Sequence, residues 1–215
     1  MSVTTLLVGA TGLVGREILR QLAIEPACTR ITVLGRRELP TPLPDKVEAR
    51  VVDFAHLELA GEFPKADAVF CALGTTMRRA GSQQRFREVD YEYPLAVARL
   101  ALARGARHFL LVSALGAGAR SRVFYSRVKG ELEDAVGALG YRSVTIVRPS
   151  LLLGAREEYR RGERIFARLG FLLPRRLKPV RAAAVAAVLV RAAVNDVPGV
   201  RVIDSEEAGR QDRRV

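Results

Sequence analysis

Three glycines at three-residue spacing, Gly9, Gly12 and Gly15, fall where a short apolar, β-branched run gives way to a helical pattern. The run before them, Thr4 to Val8, suits a strand buried on both faces. After them, Val14 to Ala23 has helical spacing, with Leu13, Ile18, Leu19 and Leu22 toward a sheet. A strand, a glycine turn and a helix in that order leave few ways for a chain to begin. Gly9 permits the sharp turn, Gly12 lets backbone approach a diphosphate, and Gly15 lets helix and strand pack closely. Phosphates would meet the free N–H groups at the helix N-terminus. A glycine triplet alone marks only a tight turn. Its position in the first strand–turn–helix of a repeating chain makes it a dinucleotide signature.

The repetition is visible downstream. Strand patterns recur at Arg30 to Leu34, Val47 to Phe54, Ala68 to Leu73, Phe109 to Ser113, Ser143 to Val147 and near Val200 to Ile203. Helical patterns separate them at Gln84 to Arg104, Tyr125 to Leu139 and Ala182 to Val194. Pro94 should kink the first of these or mark a join between two helices. Pro40, Pro42 and Pro44 make an extended loop. Strands joined by crossover helices predict an α/β fold, a doubly wound parallel sheet of Rossmann type with about seven strands. No boundary interrupts the 215 residues, so one domain is expected. Its parts are a core over 1–154, a small substrate-side extension over 155–179, and a closing helix and strand over 180–207.

The end of the second strand reports the nucleotide. A carboxylate there would bind ribose hydroxyls and repel a 2′-phosphate. Arg36 and Arg37 occupy the place, with no acid until Glu38. A guanidinium holds phosphate with paired hydrogen bonds and stacks on adenine, which predicts NADP(H) in preference to NAD(H). Asp53, at the end of the third strand, is either a partner for the adenine amino group or a cap on the short helix that follows.

Tyr125 and Lys129 lie four residues apart at the start of a helix and so share a face. Ser113 ends the fifth strand, at the sheet edge where open α/β sheets bind ligands. The set suits carbonyl reduction: a tyrosine gives a proton to a forming alkoxide, an ammonium favours its phenolate, and a serine orients the carbonyl. The plainer reading is a helix surface pair and a strand-end cap. His56 and His108 have no partner at catalytic or ligand spacing, and structural roles are expected. Cys28 and Cys71 form neither a metal spacing nor a disulfide framework.

Apolar residues make up 49% of the chain, an ordinary globular share. The formal charge of +12 is nearly all arginine and is densest from Arg156 to Arg181. No helix-turn-helix, zinc-finger or stacking-aromatic pattern accompanies it, so a solvated or anion-facing surface is expected rather than a nucleic-acid site. The longest apolar run, Ala182 to Val190, cannot cross a bilayer. With no signal-peptide pattern, the expectation is a cytoplasmic monomer or homodimer, off the membrane, acting on a small molecule.

Taken together these residues resemble the short-chain dehydrogenases/reductases in their atypical branch. The glycine loop has the branch's Gly-x-x-Gly-x-x-Gly form, Ser113 with Tyr125-x-x-x-Lys129 matches the family's catalytic set, and Arg148-Pro149-Ser150 with Gly154 resembles the segment beside the nicotinamide. A narrower similarity is to the group containing the Tat-interacting oxidoreductase and its bacterial relatives. It rests on Leu73-Gly74-Thr75-Thr76, Ala80-Gly81, Val89-Asp90 and Tyr125-x-x-Val128-Lys129-Gly130-Glu131. The resemblance implies cofactor contacts at Gly9, Thr11, Gly12, Leu13, Gly15, Arg36, Asp53, Leu73, Gly74, Lys129 and Pro149. One position departs from many extended members, which carry an active-site Asn where this chain has Asp90. The stretch after Gly154 is short for a sugar-nucleotide pocket. The implied activity is NADPH-dependent reduction of a small carbonyl compound; the competing expectation is a redox sensor or scaffold that binds NADP(H) without turnover.

Overall fold

Residues Val3–Val8 form strand β1, and Leu6, Leu7 and Val8 are all fully buried, as a strand covered on both faces requires. A computed structural model of the chain describes residues 2–59, 61–153, 179–204 and 206–207. Helix α1, Leu13–Ile24, follows the glycine turn and buries Ile18 and Leu22 as expected, with Val14 beside them, while Leu13 and Leu19 are only half-buried against the same cluster. Strand β2, Cys28–Gly35, lies beside β1, and β3, Val47–Val51, lies beside β2. The remaining sheet strands are β4, Ala68–Cys71, β5, His108–Val112, β6, Ser143–Arg148, and β9, Gly199–Asp204. A separate two-stranded pair joins β7, Leu152–Leu153, to β8, Val180–Arg181.

Among the described residues the large sheet has seven strands in the order β3-β2-β1-β4-β5-β6-β9, and each pairing is parallel. Strand order reverses between β1 and β4, which opens a crevice beyond their C-terminal ends. The Gly9 loop leaves β1 at that point.

Helices cover both faces. On one, α1 and the closing helix α6, Ala182–Asn195, bury Leu7, Ile18, Phe70, Leu110, Val185 and Leu189. On the other, α4, Tyr93–Ala103, and α5, Phe124–Gly137, bury Leu6, Val69, Val97, Phe109, Leu132 and Val136. The seven-stranded doubly wound sheet expected from the sequence is the fold observed.

Two local differences matter for the site. Strand β3 stops at Val51, three residues before the expected end, because Phe54–Leu59 turns into a 3₁₀ segment. After the short helix α2, Met77–Ala80, the long helical pattern is three pieces: α3, Gln83–Arg87, a π-helical turn over Glu88–Glu92, and α4. Proline has no N–H for a helical bond, and Pro94 sits at the start of α4. Just before it the backbone widens, with Tyr93 N–H bonding to the Glu88 carbonyl. Such π turns cluster at functional sites. The expected substrate-side stretch, with the basic run from Arg156, lies outside the described residues until Pro179.

Candidate cofactor and reaction site

The glycine loop is shaped by contacts that leave no room for side chains. Gly9 has φ of +86°, and a Cβ there would stand 2.4 Å from the Ala72 carbonyl oxygen on the neighbouring strand end. A Cβ on Gly15 would stand 2.1 Å from the Gly9 carbonyl oxygen, so α1 approaches β1 as closely as the sequence allowed. Gly12 is exposed, and its added Cβ would meet that same oxygen at 3.3 Å and the Ala72 carbonyl oxygen at 3.9 Å. Gly12 also caps α1 without any side-chain hydrogen bond, and the first turn carries no acid. The first-turn amides therefore face the crevice with a positive dipole end and no competing anion. Thr11 is exposed and Leu13 half-buried beside them. These residues fit a dinucleotide diphosphate.

Arg36 and Arg37 follow β2 and are both exposed, as is Glu38. Arg37 also lines a groove of about 230 Å³ with Val33, Leu39 and Leu43, against the outer strand β3. Asp53 caps the 3₁₀ turn. One carboxylate oxygen accepts the Ala55 N–H at 3.0 Å and the other stands 3.0 Å from His56 Nδ1. The hydrogen bond from His56 holds the Asp53 carboxyl below the usual range. His56 is thereby explained as a partner of that cap.

On the reaction side, β4 ends at Cys71 and the chain runs through Leu73, Gly74 and Thr75 toward the π turn. Asp90, on that turn, is completely buried. One oxygen accepts the Thr75 N–H at 2.8 Å; the other lies 2.8 Å from Lys129 Nζ on α5, itself 5% exposed. Gly74 borders the pair, since a Cβ there would come within 3.3 Å of Asp90 and 3.5 Å of Lys129. Burial pushes the Asp90 carboxyl above its usual range. For Lys129 burial opposes the charge, and the Asp90 carboxylate with the Tyr125 phenol more than offsets it, so the ammonium persists above its ordinary range. Burial pushes the Cys71 thiol beneath them up to about 11, which leaves it protonated and inert. Tyr125 is half-buried one turn before Lys129, with its ring centroid 5.4 Å from that of Phe86.

Ser113 stands apart from the expectation. It is 6% exposed, and its hydroxyl donates to Glu133 on α5. Arg148, at the end of β6, forks onto the same carboxylate, with Nε 3.1 Å from each oxygen and a terminal nitrogen at 2.5 Å. The Ser113 donor therefore serves an internal network rather than an open site. Pro149 follows Arg148, and its carbonyl accepts the Leu115 N–H at 2.9 Å.

Neither Glu133 nor Thr75 stands out by residue type alone. Glu133 did leave a signal: it follows Tyr125 and Lys129 at four-residue steps on the same helix face, beside Val128, Leu132 and Val136. An acid on an inward stripe must have a partner.

A parallel sheet that reverses its order at a close-packed glycine loop defines a dinucleotide-binding Rossmann fold. A family model described as NAD(P)H-binding matches residues 9–196, and the chain belongs to that family. Its relatives include Protein HTATIP2 of Rattus norvegicus, 39% identical over 160 residues. That match covers 73% of this chain and 66% of the rat protein, just under two thirds of its length. The mitochondrial protein fmp52 of Emericella nidulans is 36% identical over 166 residues, or 74% of this chain and 71% of the relative. Among solved structures, a short-chain dehydrogenase/reductase family oxidoreductase from Burkholderia thailandensis superposes with a TM-score of 0.69 at 17% identity, covering 100% of this chain and 96% of that one. The UDP-N-acetylglucosamine 4-epimerase from Methanobrevibacter ruminantium gives 0.70 at 13% identity, covering 94% and 76%. At these identities the structures share the fold. No helix among the described residues is long and apolar enough to cross a membrane.

Proposed function

We propose that this protein is an NADPH-dependent reductase of a small carbonyl compound. The observation that carries the reading is the placement of Tyr125 one helical turn before a buried, charged Lys129 that abuts Gly74 at the crevice edge. Bound nicotinamide would supply the hydride. Tyr125 would give its hydroxyl proton to the carbonyl oxygen as charge develops there. Lys129, positive beside the phenol, would favour the phenolate left behind and hold the nicotinamide ribose. Leu73, Gly74 and Pro149 would border the cofactor, and Arg36 and Arg37 would take the 2′-phosphate. Ser113 lies at the right strand end for an orienting role, but its hydroxyl would first have to leave Glu133. The protein is read as a cytoplasmic monomer or homodimer.

A panel of aldehydes, ketones and quinones assayed with NADPH tests the reading. Turnover that is lost in Tyr125→Phe supports it. Turnover unchanged in that variant removes the assigned mechanism.

A second reading, a redox sensor that binds NADP(H) without turnover, is favoured by one observation. Two of the three groups of the Ser113–Tyr125–Lys129 set, Ser113 and Lys129, already hold buried carboxylates. Tight NADPH binding with no oxidation by any substrate in the panel would select it.

A further inference from the structure

The departure at position 90 has a chemical reason in the structure. The carboxylate of Asp90 accepts the Thr75 N–H at one oxygen and lies against the Lys129 ammonium with the other. An asparagine of the same shape has one acceptor and one NH₂ group. It could satisfy Thr75 or Lys129, and would set donor against donor at the other. Asp90 is wholly buried and Lys129 nearly so, so water does little to solvate either ion instead. A buried ammonium without a partner loses its proton or its position.

We propose that Asp90 is the positioning residue of the reaction site, fixing the Lys129 ammonium in charge and in place between Gly74 and Tyr125. The π turn is the device that makes this possible. It inserts its extra residue where Asp90 must point inward, while Phe86 below and Leu95 and Ala98 above remain in the core. The groups that bear on Lys129 come from three elements: Asp90 on the π turn, Tyr125 on α5 itself, and the protonated Cys71 on β4. Asp90 is the one carboxylate among them. The pair therefore brings a cation to the phenol and its compensating anion to the same place, so the site holds a charged lysine at no net charge. The inference rests on the functional reading only for which reaction the lysine serves.

The test is a titration of Lys129 in the cofactor-free protein, which keeps it independent of whether NADPH binds or is oxidised. The chain has four lysines, Lys46, Lys65, Lys129 and Lys178, and Lys129→Arg identifies the Lys129 side-chain NMR signal. In the unmodified protein that signal should titrate above the ordinary lysine value of about 10.4. In Asp90→Asn its midpoint should fall by about one unit or more, and Asp90→Glu should restore most of the loss. A midpoint unchanged by Asp90→Asn overturns the proposal. If Asp90→Asn does not fold, the unmodified protein decides alone: titration at or below the ordinary value overturns it. A structural role for Asp90 would alter melting and leave the Lys129 midpoint where it was. Failure to bind NADPH would refute the proposed function and leave this result standing.

Discussion

Arg148 closes on both carboxylate oxygens of Glu133, and Ser113 donates to the same carboxylate from the end of β5. Three elements, β5, β6 and α5, are thereby tied together at the sheet edge beside the candidate reaction site. Glu133 is 4% exposed and Arg148 29%, so the pair is largely desolvated. Removing one partner leaves the other charge buried and uncompensated. Glu133→Ala should destabilise the fold by about 3 kcal/mol, the lower end of the range because Arg148 keeps some solvent. Ser113→Ala should cost about 1 kcal/mol, the loss of one hydrogen bond with an acceptor still held by Arg148. Urea denaturation of both variants measures this. A Ser113→Ala protein with full stability and no reductase activity would show that the serine serves substrate instead.

The glycine loop predicts two different failures from one kind of change. A methyl group on Gly15 would collide with the Gly9 backbone at 2.1 Å, and backbone cannot step aside without parting α1 from β1. A methyl group on Gly12 meets its nearest atom at 3.3 Å and points at the crevice. Gly15→Ala should therefore lower the melting temperature sharply, by several kcal/mol of stability. Gly12→Ala should melt near the parent and bind NADPH about tenfold or more weaker, since the diphosphate can no longer reach the amides. Melting curves and calorimetric titration separate the two. Equal effects of both substitutions on stability would contradict the geometry.

How much of this was legible in the sequence depends on the range of the interaction. The glycine turn, the strand–helix alternation and the inward stripe of α1 are local, and each followed from spacing. The apolar pattern runs through Val52 and Phe54, three residues past the end of β3, because Asp53 breaks the strand by capping the 3₁₀ turn. Asp90 stood out only as a departure from a resembled motif. Its meaning required knowing that a π turn would aim it at Lys129, 39 positions along the chain. Ser113 was placed at the right strand end, but its partner comes from a helix face and a strand that spacing does not join. Charge pairing among 35 basic and 23 acidic residues has too many combinations to read without the fold.

At the opposite edge of the sheet, His108 predicts how stability responds to acid. It is 3% exposed in its side chain, with Nε2 2.9 Å from the Thr145 hydroxyl and Nδ1 3.4 Å from Asp196, the residue that ends α6. Burial pushes its pKa down to about 4, against the pull of Asp196 and with help from Arg142 and Arg201. In the unfolded chain the ring takes a proton below about 6.5. Between these values the unfolded state binds the extra proton, so stability is whole above about pH 6.5 and falls as pH drops toward 4. The contribution amounts to about 3 kcal/mol when fully lost. Denaturation midpoints taken from pH 7 to pH 4 should show the fall, and His108→Gln should flatten that part of the curve. An identical slope in the variant would place the acid sensitivity elsewhere.

The last prediction concerns cofactor choice. A 2′-phosphate carries close to two negative charges at neutral pH and must meet cations or stay in water. Arg36 and Arg37 follow β2, both exposed, and the first acid after the strand, Glu38, comes only after them. A charge-assisted hydrogen bond contributes roughly 1.5–3 kcal/mol. Losing one should weaken NADPH about 10- to 150-fold. NADH has no phosphate at that position and should change far less. Calorimetric titration should therefore give tighter binding for NADPH than for NADH, and Arg36→Ala should narrow the gap by weakening NADPH alone. Arg37 lines the groove against β3, so Arg37→Ala should have the smaller effect of the two. Equal affinity for both cofactors in the unmodified protein would refute the assignment and leave the two arginines as surface charge.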